Sequence, residues 1–206
     1  MRDRTETKII LTLIRHGSTR SNEEKRYLGR TDEGLSDKGV EKIKEVMQTY
    51  KNIDLLFLSP MLRCRQTADI LFPNCEAFII EEWKEIDFGR FEGKNYQELS
   101  DDVLYKKWVD SGCKEQIPDG ELREEFIERS MSGLDKCLEI CEKYKNNSDN
   151  PICINAAAIV HGGTIMSILS RLTNSDYFDF QVDNGKGYIL EFDGKEIKSI
   201  VFTGDN

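Results

Sequence analysis

The feature that most constrains the fold is a six-residue apolar run, Ile9–Ile14, that ends abruptly in Arg15-His16-Gly17 and then turns polar. The run is short, rich in β-branched residues and without clean alternation, which predicts a fully buried strand. In an α/β sheet such a strand delivers the next residues to the carboxyl edge, where open sheets bind ligands. Here those are a guanidinium, an imidazole and a glycine that permits a tight turn and close approach of a ligand to the main chain. Taken alone, His16 fits a satisfied core histidine equally well.

The strand pattern recurs. Ile53–Leu58 predicts a second buried strand, and Ser59-Pro60 reads as N-cap and first residue of a helix that carries Arg63 in its first turn. Ala77–Ile80 predicts a third strand. Ile152–Val160 predicts a fourth, ending in His161-Gly162-Gly163, with a helix over Thr164–Leu172. Between them lie a polar loop (Ser18–Gly34) and a helix capped by Ser36 and running to about Tyr50. A loop follows over Glu81–Gly93, then helical patterns over Tyr96–Gly112 and Glu121–Lys145, the latter striped by Phe126, Ile127, Leu134, Leu138 and Cys141. Asn146–Pro151 reads as a turn-rich linker. Tyr188–Phe192 and Glu196–Phe202 straddle Asp193-Gly194-Lys195 as a hairpin at a sheet edge. Alternating strands and helices predict an α/β fold, a three-layer α/β/α sandwich with a mainly parallel sheet.

At 206 residues, 38% hydrophobic and 33% charged, the chain is expected to form one domain. The net charge of -9 disfavours nucleic acid and anionic membranes as partners, so any anion site must be a local pocket of arginines. No apolar run approaches the roughly 20 residues of a membrane span, and Met1–Lys8 has no signal-peptide core, so the cytoplasm is the expected compartment. The six cysteines include no C-x-x-C pair, and Cys137 and Cys141, four apart on a helix, suggest packing instead of zinc. No metal site is expected.

The chain has two histidines, and both stand where a buried run gives way to glycine. If both strands are parallel in one sheet, both imidazoles emerge at one edge. Arg15 and Arg63 join them there, and guanidinium forks match phosphate oxygens bidentately.

The motifs then read in order: Arg15-His16-Gly17-Ser18-Thr19-x-x-Asn22; Ser59-Pro60-x-x-Arg63-x-x-Gln66-Thr67-Ala68; Glu85 ahead of Phe88-Gly89-x-Phe91-Glu92-Gly93; and His161-Gly162-Gly163. Together they resemble the histidine phosphatase superfamily, also called phosphoglycerate-mutase-like. The resemblance implies that fold with a small helical cap insertion, about 93–121. It implies His16 as nucleophile forming a phosphohistidine, its other ring nitrogen fixed by a backbone carbonyl. Arg15, Arg63, His161, Asn22 and Gly162 would hold the phosphoryl oxygens, with His161 cationic, and neither metal nor other cofactor would be needed. Glu85 matches the family's proton donor, with Glu81, Glu82 and Asp87 as competitors on the same loop.

Three departures stand out. Ser18 replaces the Glu or Gln frequent after R-H-G, Val160 replaces a small or polar residue, and Leu122 stands at the Ser position of a P-x-G-E-S-like segment, which receives no substrate role. The resemblance leaves a phosphomonoesterase on a small phosphorylated metabolite, a phosphoglycerate mutase, and a non-catalytic module. Intact catalytic positions argue against the module, and a chain stopping soon after its last strand, with little to make a tail over the site, argues against the mutase. Tyr27–Ser36 and Ile86–Gly93 most resemble the alpha-ribazole phosphatase group of cobalamin nucleotide-loop assembly, although Gly34 stands where that group often has Pro. In the cap, Tyr96, Tyr105 and Trp108 are expected to pack together more than to stack on substrate. A homodimer is left open.

Overall fold

The computed structural model describes residues 8–50, 52–146 and 153–204. Among the described residues six strands form one sheet: β1 (Lys8–Arg15), β2 (Leu55–Leu58), β3 (Ala77–Ile79), β4 (Cys153–Val160), β5 (Gly187–Asp193) and β6 (Glu196–Phe202). Their spatial order is β3-β2-β4-β1-β5-β6. The β1–β4, β2–β4 and β2–β3 pairs are parallel, whereas β5 is antiparallel to β1, and β6 to β5. The expected hairpin thus forms one edge of a mixed sheet. The helices are α1 (Arg20–Glu23), α2 (Asp37–Val46), α3 (Leu62–Leu71), α4 (Val103–Asp110), α5 (Arg123–Asn146) and α6 (Gly162–Thr173).

Successive strand residues point to opposite faces, and both faces are apolar, which sets three layers. Ile154, Ala156, Ala158 and Val160 of β4 join Leu134, Cys137 and Leu138 of α5 and Ile165, Ile168 and Leu169 of α6. The alternate residues Ala157 and Ile159 join Ile43 of α2 and Cys64, Ala68 and Leu71 of α3. Each fully buried Leu or Ile contributes about 1.5–3 kcal/mol. A third cluster gathers Ile86, Phe91, Leu99, Tyr105, Trp108, Ile117 and Phe126 beside the sheet.

Several local expectations need correction. The Ser18–Gly34 loop contains α1, built on a capping box in which Thr19 Oγ1 accepts from Asn22 N–H while Asn22 Oδ1 accepts from Thr19 N–H. The helix capped by Ser36 ends at Val46, not near Tyr50. The helix after β2 starts at Leu62, not at Ser59-Pro60. Its N-cap is Met61, and the Leu62 N–H is satisfied from afar by Asp32 Oδ1 at 2.7 Å, while the Ser59 hydroxyl is engaged elsewhere. Only Val103–Asp110 of the expected Tyr96–Gly112 helix is helical, where Asp102 caps the N-terminus; the residues before it form turns. The loop after β3 holds short 3-10 turns at Glu81–Trp83 and Gly89–Phe91. The linker expected at Asn146–Pro151 falls, apart from the last residue of α5, outside the described residues, as does Ile152. Among the described residues no helix is long and apolar enough to cross a membrane.

Candidate active site

In the β1–β4 ladder Arg15 lies opposite Val160, so His16 and His161 leave the sheet side by side. The His16 N–H donates to Val160 O at 3.0 Å, and the two ring centroids are 5.1 Å apart. In the β2–β4 ladder Leu58 lies opposite Ile159, which brings Ser59 to the same level. Val160 itself points into the core, and Ser18 is absent from the residues lining the cavity at this edge.

His16 Nδ1 lies 2.7 Å from Gly17 O. A carbonyl can only accept, so Nδ1 carries the proton and Nε2 the lone pair. Burial, reinforced by the Arg63 and Arg15 charges, holds the His16 pKa well below 6.5. His161 is fully buried. Arg63 Nε donates to His161 Nδ1 at 3.2 Å, which leaves Nε2 protonated and donating to Ser59 Oγ at 2.7 Å. Burial and the neighbouring Arg63 push its pKa well below 6.5 too. The cationic His161 expected from the sequence is therefore not the form these contacts favour.

Arg63 is also fully buried. Besides His161, its fork reaches Thr31 O (Nη1, 3.0 Å) and Gly29 O (Nη2, 2.9 Å). Arg15 Nη1 donates to Val182 O at 2.6 Å, while its buried Nε has no partner. Asn22 uses Oδ1 to accept from Thr19 N–H and from Asn184 Nδ2, and Asn184 also holds His16 O at 2.9 Å.

Glu85 is buried. Its Oε1 accepts from Ile86 N–H at 2.9 Å and its Oε2 from Gly163 N–H at 3.3 Å. Burial raises its pKa above the usual carboxylate value, opposed by those backbone bonds and by Arg63 and Arg15. A Cβ on Gly163 would lie 2.4 Å from Glu85 Oε1 and 2.8 Å from the Phe126 ring, so a side chain there would displace the carboxylate. The competing carboxylates are engaged elsewhere: Glu81 pairs with Lys84, Glu82 with Lys136, and Asp87 accepts from Gly89 N–H.

These groups meet at a cavity of about 520 Å³. Arg15, His16, Asn22, Glu85, Gly162 and Gly163 line its floor; Tyr27, Phe88, Trp108, Tyr177, Phe178 and Arg123 line its wall. Arg63 and His161, expected to face the ligand, lie a layer beneath. Tyr105 and Trp108 pack in the third cluster, Trp108 with one side also on the cavity wall, whereas Tyr96 is exposed. The sequence reading missed Ser59 and Gly163 as site residues, although both sit inside motifs it quoted; Asn184 carried no local signal. Among the described residues no group of three or more His, Cys, Asp or Glu is placed to hold a metal ion. A neutral imidazole with a free Nε2, a neighbouring guanidinium and a carboxyl group of raised pKa can together perform nucleophilic attack, charge neutralisation and proton transfer.

Residues 11–205 match the histidine phosphatase superfamily (branch 1). A curated relative, "Probable phosphoglycerate mutase GpmB" of Enterobacter sp. (strain 638), is 30% identical over 136 residues, 63% of each chain, so the match spans under two thirds of that relative's length. The alpha-ribazole phosphatase of Shigella flexneri superposes with a TM-score of 0.77 at 22% identity, covering 95% of this chain and 96% of that one. A mutant phosphoserine phosphatase of Entamoeba histolytica, solved with phosphoserine, superposes at 0.76 with 29% identity over 96% and 97%. The same phosphatase has also been solved with 3-phosphoglyceric acid, at 28% identity, a TM-score of 0.75 and 95% and 96% coverage.

Proposed function

Because the chain belongs to the histidine phosphatase superfamily, we propose that it is a metal-independent phosphomonoesterase acting on a small phosphorylated metabolite through a phosphohistidine. The observation that carries this is the His16 ring, neutral, with Nδ1 committed to Gly17 O and Nε2 left as nucleophile on the cavity floor. His16 Nε2 forms the N–P bond as the ester P–O bond breaks. Glu85, in the protonated form that its burial favours, gives its proton to the leaving oxygen. Glu85 then takes a proton from water, which attacks phosphorus and breaks the N–P bond, releasing phosphate and regenerating both groups. Arg15, with its partnerless Nε, and the Asn22 amide hold the phosphoryl oxygens from the floor. Gly162, also on the floor, leaves room for them. Arg63 supplies charge from behind. A phosphoryl dianion on His16 draws His161 toward its cationic form, and the ring then adds a second charge.

Residues 93–121 serve as the cap. The cavity's volume and aromatic wall favour a ring-bearing phosphate such as alpha-ribazole phosphate, in keeping with the structural likeness to alpha-ribazole phosphatase. The curated relatives named as phosphoglycerate mutases favour a second reading, isomerisation. A phosphorus NMR assay separates the two. With 3-phosphoglycerate or alpha-ribazole phosphate, in the presence of EDTA, free phosphate is expected from the wild type, and His16→Ala is expected to lose at least about 10⁴-fold in rate. Rapid formation of 2-phosphoglycerate with little free phosphate favours the mutase; full activity of H16A removes the nucleophile assignment.

A further inference from the structure

Gly29-Arg30-Thr31-Asp32 and Phe91-Glu92-Gly93 have no part in the chemistry above, yet the fold joins them. Tyr27 N–H donates to Lys94 O at 2.9 Å, and Gly93 N–H to Tyr27 O at 2.8 Å. Glu92 continues this short ladder with its side chain, because Oε1 accepts from Gly29 N–H at 2.8 Å and from Thr31 N–H at 2.9 Å. The carbonyls of those same two residues receive the Arg63 fork, and Arg63 Nε in turn holds His161 Nδ1. The loop has little freedom to adjust. A Cβ on Gly29 would lie 2.0 Å from Ile86 O, and Asp32 Oδ1 ties the loop's far end to the Leu62 N–H, one residue before Arg63.

We propose that Glu92 is a positioning residue for phosphoryl transfer: its carboxylate fixes the Gly29 and Thr31 carbonyls that aim the Arg63 guanidinium at His161. This rests on the reading that Arg63 and His161 cradle the phosphoryl group. Glu92 never touches the cavity floor. It acts through peptide groups, so its effect on catalysis belongs in turnover and not in substrate capture. A glutamine keeps the accepting Oε1 and can replace it; an alanine leaves two N–H groups without an acceptor.

The test is steady-state hydrolysis of p-nitrophenyl phosphate, with thermal melting of each variant. Glu92→Ala is expected to lower kcat about ten- to hundred-fold with KM within about threefold, the penalty of misplacing a charge by an ångström or less. Glu92→Gln is expected to recover kcat to within about threefold of wild type. Placed in an Arg63→Lys background, E92A is expected to cost no more than about twofold further, since coupled residues are not additive. If E92A fails to fold, Glu92→Asp, one methylene too short to reach both N–H groups, is read in its place. Wild-type turnover in E92A, equal losses in E92A and E92Q, or the full loss repeated in R63K each overturns the proposal. Wild-type turnover in R63K alone overturns instead the reading of Arg63 as part of the cradle.

Discussion

At and just beneath the cavity floor, His16, His161 and Ser59 leave three adjacent parallel strands at one level, whereas the aromatic wall is packed through ring contacts. The floor's geometry is set by ladder hydrogen bonds, and nearly every polar group there has a named partner. The wall is set by apolar packing: Trp108 meets Phe91 at 5.5 Å, Tyr27 at 5.7 Å and Tyr105 at 6.0 Å between centroids. Ring contacts are less directional than a strand ladder and tolerate exchange better. The two regions can therefore change independently, the floor governing chemistry and the wall governing which phosphate ester fits.

The sharpest test of that separation is at the floor. Glu85→Gln is expected to lower kcat by about 10²- to 10⁴-fold. In the wild type, turnover should fall as pH rises through the raised Glu85 pKa, because the donor is then lost. Stability has the same sign: a carboxyl group raised by burial stabilises below the ordinary carboxylate pKa and loses that contribution as pH rises through the folded value. E85Q, which keeps only one of the two backbone acceptors, should lose little stability at neutral pH and should melt with a flatter pH dependence than the wild type. A large drop in its melting temperature would mean that Glu85 is structural.

At the wall, Trp108→Ala is expected to cost about 3–5 kcal/mol in stability, measured by denaturant unfolding. It should raise KM for bulky esters while leaving kcat on p-nitrophenyl phosphate within about threefold. A loss of kcat comparable to that of E85Q would break the distinction between wall and floor. The smallest effect concerns pH and folding. Both histidines have folded pKa values well below 6.5, so their contribution is present above about pH 6.5 and is lost as pH falls toward the folded values. Each costs up to about 1.4 kcal/mol per pH unit in that window. Melting between pH 7.5 and 5.5 should show a shallower fall in His161→Gln than in the wild type, and an identical fall would contradict the neutral ring.

The floor was legible in the sequence for a physical reason. Buried parallel strands are written as short β-branched runs, and the residues just after each run are delivered to one edge; that placed His16, His161 and Arg63 together without any long-range information. Non-local hydrogen bonding was not legible. Ser59 looked like a helix cap because Ser-Pro often is one, but its hydroxyl is committed to His161 and Asp32 satisfies the first turn of α3 from 30 positions away. The depth of Arg63 likewise depends on the Gly29 and Thr31 carbonyls, which no spacing rule reveals. The four-residue α1 is too short for a periodic signal, and Tyr96–Asp101 has helix-compatible residues but folds as turns ahead of the Asp102 cap.

The proposed chemistry rests most directly on a covalent bond to one atom. Rapid base quenching of the wild-type enzyme during turnover of a ³²P-labelled phosphomonoester should trap label on the protein that survives base and is released by later acid treatment, as a phosphoramidate requires. That label should be absent from His16→Ala and should accumulate in Glu85→Gln where transfer outpaces water activation. Label of the same stability in H16A, or turnover by the wild type with no base-stable label at any time point and pH, would contradict His16 as the phosphoryl acceptor.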